Sequence, residues 1–395
     1  MRVVGRGVRG RGRTRAGDAF RQGVWSTHRR RSGTGALVSR GPETGRRRSS
    51  VIAGVGASVP SAMLTNNDLA TWLETDDQWI RSRTGVVERR ISAPERATSD
   101  LAVEAGAQAL ESAGTADVDV VVLATTTPDR PCPATAPEVA AALGLGTVPA
   151  FDLAAVCSGF LYALSVAAGY IESGRAHTVL VIAADTFSTI LDRDDRATMS
   201  VFGDGAGAVL LRAGFSNEPG AVGHVDLGSD GSLRDLITVP AGGSRQRGLG
   251  VAAAEDDMYF RMEGRTVFMH AVERMTSSAQ SVLARGGLTV ADIDRFVGHQ
   301  ANIRILRAVA LQLGLDVDRV VVNLDQVGNT AAASIPLALR DGHARGEIRA
   351  GERVLLSAFG GGATWGSTIL IWPELPPQQG EAAVTKSDRG DSNGI

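Results

Sequence analysis

The chain has 395 residues, 43% of them hydrophobic and 21% charged, with 48 glycines, 5% aromatics and only two cysteines. That is enough length and apolar content for two domains or one large duplicated body, and too few cysteines for a disulfide framework. No run approaches the roughly 18 apolar residues of a membrane span, and no secretory signal core is present.

The net charge of -2 hides an imbalance: residues 1–50 hold 14 arginines against Asp18 and Glu43, a net of +12, which leaves -14 on the rest. Residues 1–50 are Arg/Gly-rich without apolar periodicity and are expected to be disordered. An upstream start codon, a targeting peptide and a basic arm all fit them.

The folded body is expected from residue 51, where Val51-Ile-Ala-Gly-Val-Gly reads as a buried strand and turn. A helix is predicted over Asn67–Glu74 with Asn66 or Asn67 as N-cap, and another over Leu101–Ala113. Val118–Thr127 is a near-continuous apolar run, the pattern of a strand buried on both faces of a parallel sheet. Pro137–Leu145 reads as helix. The strand at Val148–Val156 runs into a helical segment at Ser158, which places Cys157 on the junction. Another strand follows at Thr178–Asp185.

A cysteine at such a junction faces helix N-terminal amides, which stabilise a thiolate and donate to an oxyanion. Lowering its pKa by roughly 1.5 units would leave half of it ionised at neutral pH. The plainer reading is a buried structural cysteine. A thiol nucleophile needs a reducing compartment, so a cytoplasmic setting is expected.

The chain also echoes itself. Phe202-Gly-Asp-Gly-Ala-Gly-Ala is echoed by Phe359-Gly-Gly-Gly-Ala-Thr, the Cys157 strand–turn–helix by Val320-Val-Val-Asn through Gly328-Asn-Thr-Ala-Ala-Ala-Ser, and the strand ending at Thr125 by Arg295-Phe-Val-Gly-His. The echoes recur in the same order about 155 to 175 residues apart. This predicts an α/β fold of two duplicated halves, 51–216 and 217–374, with a disordered tail at 375–395 and a ligand cleft where equivalent strand ends meet.

Two further polar residues belong to that cleft. His299 ends a predicted strand between glycine and glutamine; a lone histidine is otherwise more often structural. Asn329 starts the mirrored helix, where an N-cap role is the plain alternative. Gly360-Gly-Gly lets a backbone amide approach a ligand closely.

Together, Ala155-Val-Cys-Ser-Gly-Phe, Gly298-His-Gln-Ala-Asn-Ile-Arg-Ile, Gly328-Asn-Thr-Ala-Ala-Ala-Ser-Ile-Pro and Phe359-Gly-Gly-Gly-Ala-Thr-Trp-Gly resemble the signatures of the β-ketoacyl-acyl-carrier-protein synthase III family. The resemblance covers about residues 50–373. It implies a thiolase-like fold, a layered α-β-α-β-α sandwich, a homodimer, and no metal or redox cofactor. It also implies an acyl-CoA and a malonyl-acyl-carrier protein as substrates.

By the same resemblance Cys157 is the nucleophile, and the amides of Cys157 and Gly361 form its oxyanion hole. His299 and Asn329 stabilise the enolate that follows decarboxylation. Trp79, Arg83 and Arg196 match residues that hold the adenine end of coenzyme A, and Arg304 and Arg307 face the carrier protein. Leu311 and Gln312 stand where the family often has further basic residues. Phe359 and Cys132 are assigned to the acyl pocket, Cys132 where the family often places a phenylalanine reaching into the partner subunit; its small size predicts starters longer or more branched than acetyl.

Two rival readings remain. One is a pathway-specific priming ketosynthase or acyltransferase on the same scaffold. The other is a non-catalytic or nucleic-acid-binding protein led by the basic arm, against which the acidic body argues. Neither a nucleic acid nor a membrane is expected as partner.

Overall fold

In the computed structural model the described residues are 47–376. Runs of Val, Ile, Leu and Ala build the first sheet from β1 (Arg48–Ser58), β2 (Val120–Ala124), β3 (Ala150–Leu153), β4 (Thr178–Asp185) and β5 (Gly205–Phe215), in the order β1-β5-β4-β2-β3. Every residue of β2 is buried, as the uninterrupted apolar run required. β2 runs parallel to β3 and β4, whereas β5 is antiparallel to β1 and β4.

The second sheet has β6 (Val222–Ser229), β7 (Arg295–Gly298), β8 (Arg353–Gly360) and β9 (Thr364–Ile371), in the order β7-β8-β9-β6. β7 and β8 are parallel and the other pairs antiparallel. A parallel bridge between Phe296 and Val320 occupies the fifth position, where a full strand was expected. Order and direction therefore match strand for strand: β1, β5, β4, β2 and β3 correspond to β6, β9, β8, β7 and the Val320 bridge.

Helices α1 (Asp77–Thr84), α2 (Thr98–Ala113), α3 (Ala136–Ala142), α4 (Gly159–Glu172), α5 (Gly264–Gly286), α6 (Ile303–Leu313) and α7 (Ser334–Ala344) complete the body. α2 and α3 cover the outer face of the first sheet; α5 covers that of the second, with α6 against it. α4 and α7 lie between the sheets and touch both. α4 is apolar on most sides, the composition of a helix with packing partners all around it. The result is the five-layered α-β-α-β-α sandwich expected from the resemblance.

Two glycines set how closely α2 lies on β1. A Cβ on Gly54 would sit 2.3 Å from the Ala109 carbonyl oxygen, and one on Gly56 would sit 2.1 Å from that of Ala105. Alanines at 102, 105 and 109 complete the flat contact.

Local corrections are instructive. The body starts at Arg48 rather than residue 51: Arg48 Nε donates to the Ile171 carbonyl at 2.7 Å and Nη2 to that of Ala176 at 3.2 Å. Charge alone had assigned Arg47 and Arg48 to the extension, but an edge strand can hold a charged side chain against the carbonyls at the end of a helix packed on it, here α4 and the loop that follows. The rest of the extension, and the tail beyond Pro376, lie outside the described residues. The helix expected over 67–74 is one turn, Asn66–Leu69, capped by Thr65 in a reciprocal box with Asp68 rather than by an asparagine. Asn66 is buried instead. It donates to Asp77 and the Val86 carbonyl, both at 2.9 Å, and accepts from Arg89 Nη2 at 2.7 Å. Arg89 is itself fully buried, and burial lowers its pKa to about 10, so it stays charged at neutral pH.

Replacing Gly56 by valine drives a side chain into the α2 backbone. Urea unfolding of Gly56→Val is expected to show about 1–3 kcal/mol less stability, or no folded protein. Gly169→Ala in α4, where an added Cβ meets nothing within 4 Å, is the control and is expected to be neutral or stabilising.

Candidate active site

Beyond β3 the chain passes through a single 3₁₀ turn, Val156–Ser158, and enters α4. Val156 has φ +47°, a strained value for a β-branched residue. The second half repeats the device: Ala331–Ala333 forms a 3₁₀ turn into α7, and Ala331 also has φ +47°. The two turns pack on each other, so closely that a Cβ on Gly159 would lie 3.3 Å from that of Ala332. From a third side comes the β8–β9 turn. A Cβ on Gly360 would sit 2.9 Å from the backbone nitrogens of both Cys157 and Ser158, so only glycine lets this strand end reach them. Gly361 follows, against Val156. Ser158 Oγ and Thr364 Oγ1 lie 2.7 Å apart and 2.8 and 3.1 Å from the Ala155 carbonyl, and their two protons shared among these contacts lock the turn.

His299 immediately follows β7. Its amide donates to the Ser357 carbonyl on β8 at 2.8 Å, and its Nδ1 lies 2.6 Å from Ser334 Oγ at the start of α7. Asn329 is held by its main chain: its amide donates to the Val201 carbonyl at 2.8 Å and its carbonyl accepts from the Gly203 amide at 3.0 Å. Its Oδ1 accepts from the Ala331 amide at 3.0 Å, which turns Nδ2 away from the backbone. Cys157, His299 and Asn329 are 7%, 3% and 4% exposed. Cys157 thus sits on one of the two facing turns, Asn329 two residues before the other, and His299 at the end of β7, bonded to Ser334 just after that second turn; Cys157 shares one apolar cluster with Phe202, Ala331 and Phe359.

Asp185, at the end of β4, was not singled out from sequence. It is fully buried and takes five hydrogen bonds, from the amides of Thr126 (2.7 Å), Thr127 (3.2 Å) and Ala332 (3.1 Å) and the hydroxyls of Thr125 (3.3 Å) and Thr127 (3.1 Å). Ser334 was also missed. Each shows in the sequence only as one polar residue closing an apolar run, a weak signal.

Burial governs the electrostatics. It pushes the Cys157 thiol well up, with the Asp185 carboxylate adding to the rise. The thiolate expected at neutral pH is therefore not what the site holds: desolvation exceeds the pull of the helix end. Burial also lowers His299 to about 3, so the imidazole is neutral. Asp185 is raised to about 6 by burial, against the opposing effect of its hydrogen bonds.

A cavity of about 820 Å³ opens beside the Val156–Ser158 turn, walled by Thr126, Thr127, Val156, Ile190, Ile237 and Phe260. Phe359 is buried in the cluster around Cys157. Cys132 is exposed, on a loop whose Pro128, Asp129 and Pro131 line the cavity. At a separate place, the guanidinium groups of Arg83 and Arg196 lie over the Trp79 ring, 4.7 and 4.5 Å from its centroid. Asn302 ties α1 to α6 by donating to the Arg83 carbonyl at 2.9 Å. α6 presents Arg304, Arg307 and Leu311 to solvent on one face, Leu311 at 76% exposure.

The neutral buried imidazole has a measurable consequence. Between about pH 6.5 and 3 an unfolded His299 binds a proton that the folded one refuses, so this group costs stability as pH falls, about 1.4 kcal/mol per unit. Asp185, raised to about 6, acts with the opposite sign between about pH 6 and 4. Replacing His299 by glutamine removes only the first effect. Between pH 7 and 5, urea unfolding of His299→Gln is expected to gain about 1–2 kcal/mol relative to the unchanged chain. An unchanged difference would mean that His299 is charged in the fold.

Comparisons with known proteins give the family. Residues 151–231 match the family described as 3-Oxoacyl-[acyl-carrier-protein (ACP)] synthase III, and residues 283–372 match its C-terminal part. A Streptomyces coelicolor protein named Beta-ketoacyl-[acyl-carrier-protein] synthase III 5 is 58% identical over 325 residues, 82% of this chain and 98% of the relative. A synthase III of Pseudomonas aeruginosa PAO1 is 51% identical over 330 residues, 84% of this chain and 98% of that one. The crystal structure of 3-oxoacyl-(acyl carrier protein) synthase III from Pseudomonas aeruginosa PAO1 superposes with a TM-score of 0.78 at 49% identity, covering 83% of this chain and all of that one. The priming β-ketosynthase of the R1128 polyketide pathway superposes at 0.77 with 34% identity, covering 85% of this chain and all of that one. At such identity over nearly the full length of its relatives, with the same thiolase-like fold, this chain belongs to the β-ketoacyl-[acyl-carrier-protein] synthase III family of acyltransferases.

Proposed function

We propose that the protein condenses an acyl-CoA starter with malonyl-acyl-carrier protein, releasing carbon dioxide and coenzyme A and giving a 3-ketoacyl-acyl-carrier protein that initiates fatty acid synthesis. One observation carries the reading: the turn that holds Cys157 packs against the turn lying between Asn329 and Ser334, the hydroxyl partner of His299, and the donor ends of these two neutral side chains face no acceptor among the described residues. Neither His299 Nε2 nor Asn329 Nδ2 has a partner among the described residues.

In the first step Cys157 Sγ attacks the thioester carbonyl. The C–S bond to coenzyme A breaks, and the thiol proton leaves with coenzyme A. The amides of Cys157 and Gly361 donate to the transient oxyanion, in the corner that Gly360 opens. In the second step the malonyl carboxylate departs as carbon dioxide, and its bonding pair moves onto the thioester oxygen. His299 Nε2–H and Asn329 Nδ2–H donate to that enolate. The enolate carbon then attacks the acyl carbonyl, the C–S bond to Cys157 breaks, and the thiolate takes a proton. Both donors remain neutral across the physiological range, so neither is lost to protonation and neither repels the forming charge. The two steps balance without oxidant or reductant.

The remaining assignments follow from position. Trp79 with Arg83 and Arg196 offers stacking faces and positive charge to an adenine nucleotide. Arg304 and Arg307 suit an acidic carrier protein. The cavity beside Val156, with Phe359 in the cluster behind it, would take the acyl chain, and its volume favours starters larger than acetyl. Among the described residues β3 is an edge strand paired with β2, and a second copy pairing along it would form a homodimer. A free buried thiol suits the cytoplasm. The priming role named for the polyketide relative stays the alternative, and the higher identity to the synthase III proteins favours the first reading.

Intact-mass measurement after incubation with acetyl-, isobutyryl- and longer acyl-CoAs tests the first step: one acyl group per chain is expected, and none on Cys157→Ala. His299→Ala and Asn329→Ala are expected to load normally yet release carbon dioxide from malonyl-acyl-carrier protein about 10²–10³-fold more slowly. Loading on Cys157→Ala would refute the assignment of the nucleophile. Arg304→Glu is expected to raise the KM for the carrier-bound substrate several-fold with unchanged acyl loading; equal KM values would remove that helix face from the docking surface.

A further inference from the structure

We infer that Ser334 sets the tautomer of His299, holding the proton on Nε2 so that the imidazole can donate only into the reaction pocket. The inference rests on the enolate-stabilising role proposed for His299.

The argument is one of hydrogen-bond completeness. Ser334 is 1% exposed, so its hydroxyl proton has no access to water and must find an acceptor in the protein. Two contacts involve Ser334 Oγ. The Gln300 amide donates to it at 3.4 Å, and His299 Nδ1 lies 2.6 Å away. An amide N–H can only donate, so it cannot receive the serine proton. Nδ1 is then the one acceptor among the described residues, and it must be unprotonated. A neutral imidazole has one proton, which therefore sits on Nε2. In the other tautomer Nδ1–H and the Gln300 amide would both point at Ser334 Oγ, and its own proton would be buried without a partner.

The scaffold around the pair is rigid. Gln300 Nε2 donates to the carbonyls of Gly298 (2.8 Å) and Val321 (3.2 Å), and its Oε1 accepts from the Asn323 amide at 3.2 Å. The Gln300 amide that completes Ser334 therefore cannot swing away. Ser334 begins the helix α7 that follows the Ala331–Ala333 turn, so one short segment positions Asn329 on one side and fixes the proton of His299 on the other. Ser334 touches no reacting atom in this scheme; it is a positioning residue.

The chemical consequence separates the two steps. Acyl transfer to Cys157 uses the backbone amides and is indifferent to the tautomer. Decarboxylation needs a donor at Nε2. With the proton on Nδ1, Nε2 would present a lone pair to the enolate oxygen and repel it.

The test is ¹⁵N NMR of the full chain labelled at histidine, with His299→Gln used to assign the His299 resonances. The expected result is a neutral imidazole with the hydrogen on Nε2 and Nδ1 bare at pH 7. A hydrogen on Nδ1 in the unchanged protein overturns the inference, and needs no variant to fold. In Ser334→Ala a mixture of tautomers is expected, with carbon dioxide release from malonyl-acyl-carrier protein slowed about 10–100-fold and acyl loading unchanged. Ser334→Thr, which keeps the hydroxyl, is expected to restore the Nε2–H form and most of the rate. A Ser334→Ala protein that keeps the Nε2–H tautomer and full decarboxylation also overturns it. If instead His299→Gln itself decarboxylates at the full rate, the role of His299 fails while the tautomer assignment stands on the spectrum alone.

Discussion

A single buried carboxylate holds the site together. Asp185 closes β4 of the first half. It accepts from the backbone beyond β2, at Thr126 and Thr127, and from Ala332 in the second half. These partners stand 59, 58 and 147 residues away in sequence, so no local pattern dictates the contact. A carboxylate removed from water is costly unless it is hydrogen-bonded, and five donors supply those bonds, four on Oδ1 and the Ala332 amide on Oδ2. The arrangement in turn constrains what it touches. Thr126 and Thr127 form a wall of the cavity beside Val156, and Ala332 belongs to the turn that follows Asn329.

Duplication explains why such a tie is possible. Each half ends a buried strand in a strained 3₁₀ turn before a central helix, and the shared φ of +47° at Val156 and Ala331 marks the two turns as equivalent. Packed face to face between the sheets, they carry different cargo: a thiol on one, and on the other alanines small enough to let the first turn approach. Strain of this kind persists only where surrounding structure over-determines it, and here both sheets, the Asp185 bonds and the Gly360 contact do so. The same enclosure keeps the Cys157 thiol and the His299 imidazole uncharged, and the Asp185 carboxylate beside them, held by its five hydrogen bonds, adds to the resistance of the thiol to ionisation.

The surface follows from the same frame. α1, with the Trp79 and arginine cluster, is tied through Asn302 to α6, whose outer face carries Arg304 and Arg307. The Trp79–arginine cluster and the outer face of α6 are therefore neighbouring ground. Leu311, exposed on α6, makes that ground less basic and more apolar than arginines alone suggest.

Much of this was written locally. Uninterrupted apolar runs marked β2 and β4, and the echo of three motifs announced two equivalent halves. Cys157, His299 and Asn329 stood out because each occupies a strand end or turn with glycine or small residues beside it. The caps at residue 65, the ordered Arg48 and the single-turn helix at Asn66–Leu69 were misread, because side-chain type says less than the neighbour it meets. What the tertiary structure alone decided is the protonation of the site and its supporting contacts. Whether Cys157 is a thiol, whether Asp185 can stay buried, and which hydroxyl faces His299 depend on solvent exclusion and on residues far along the chain. A sequence records which groups exist and the periodicity of their burial; the dielectric and the donors around each group come into being only when the halves close on one another.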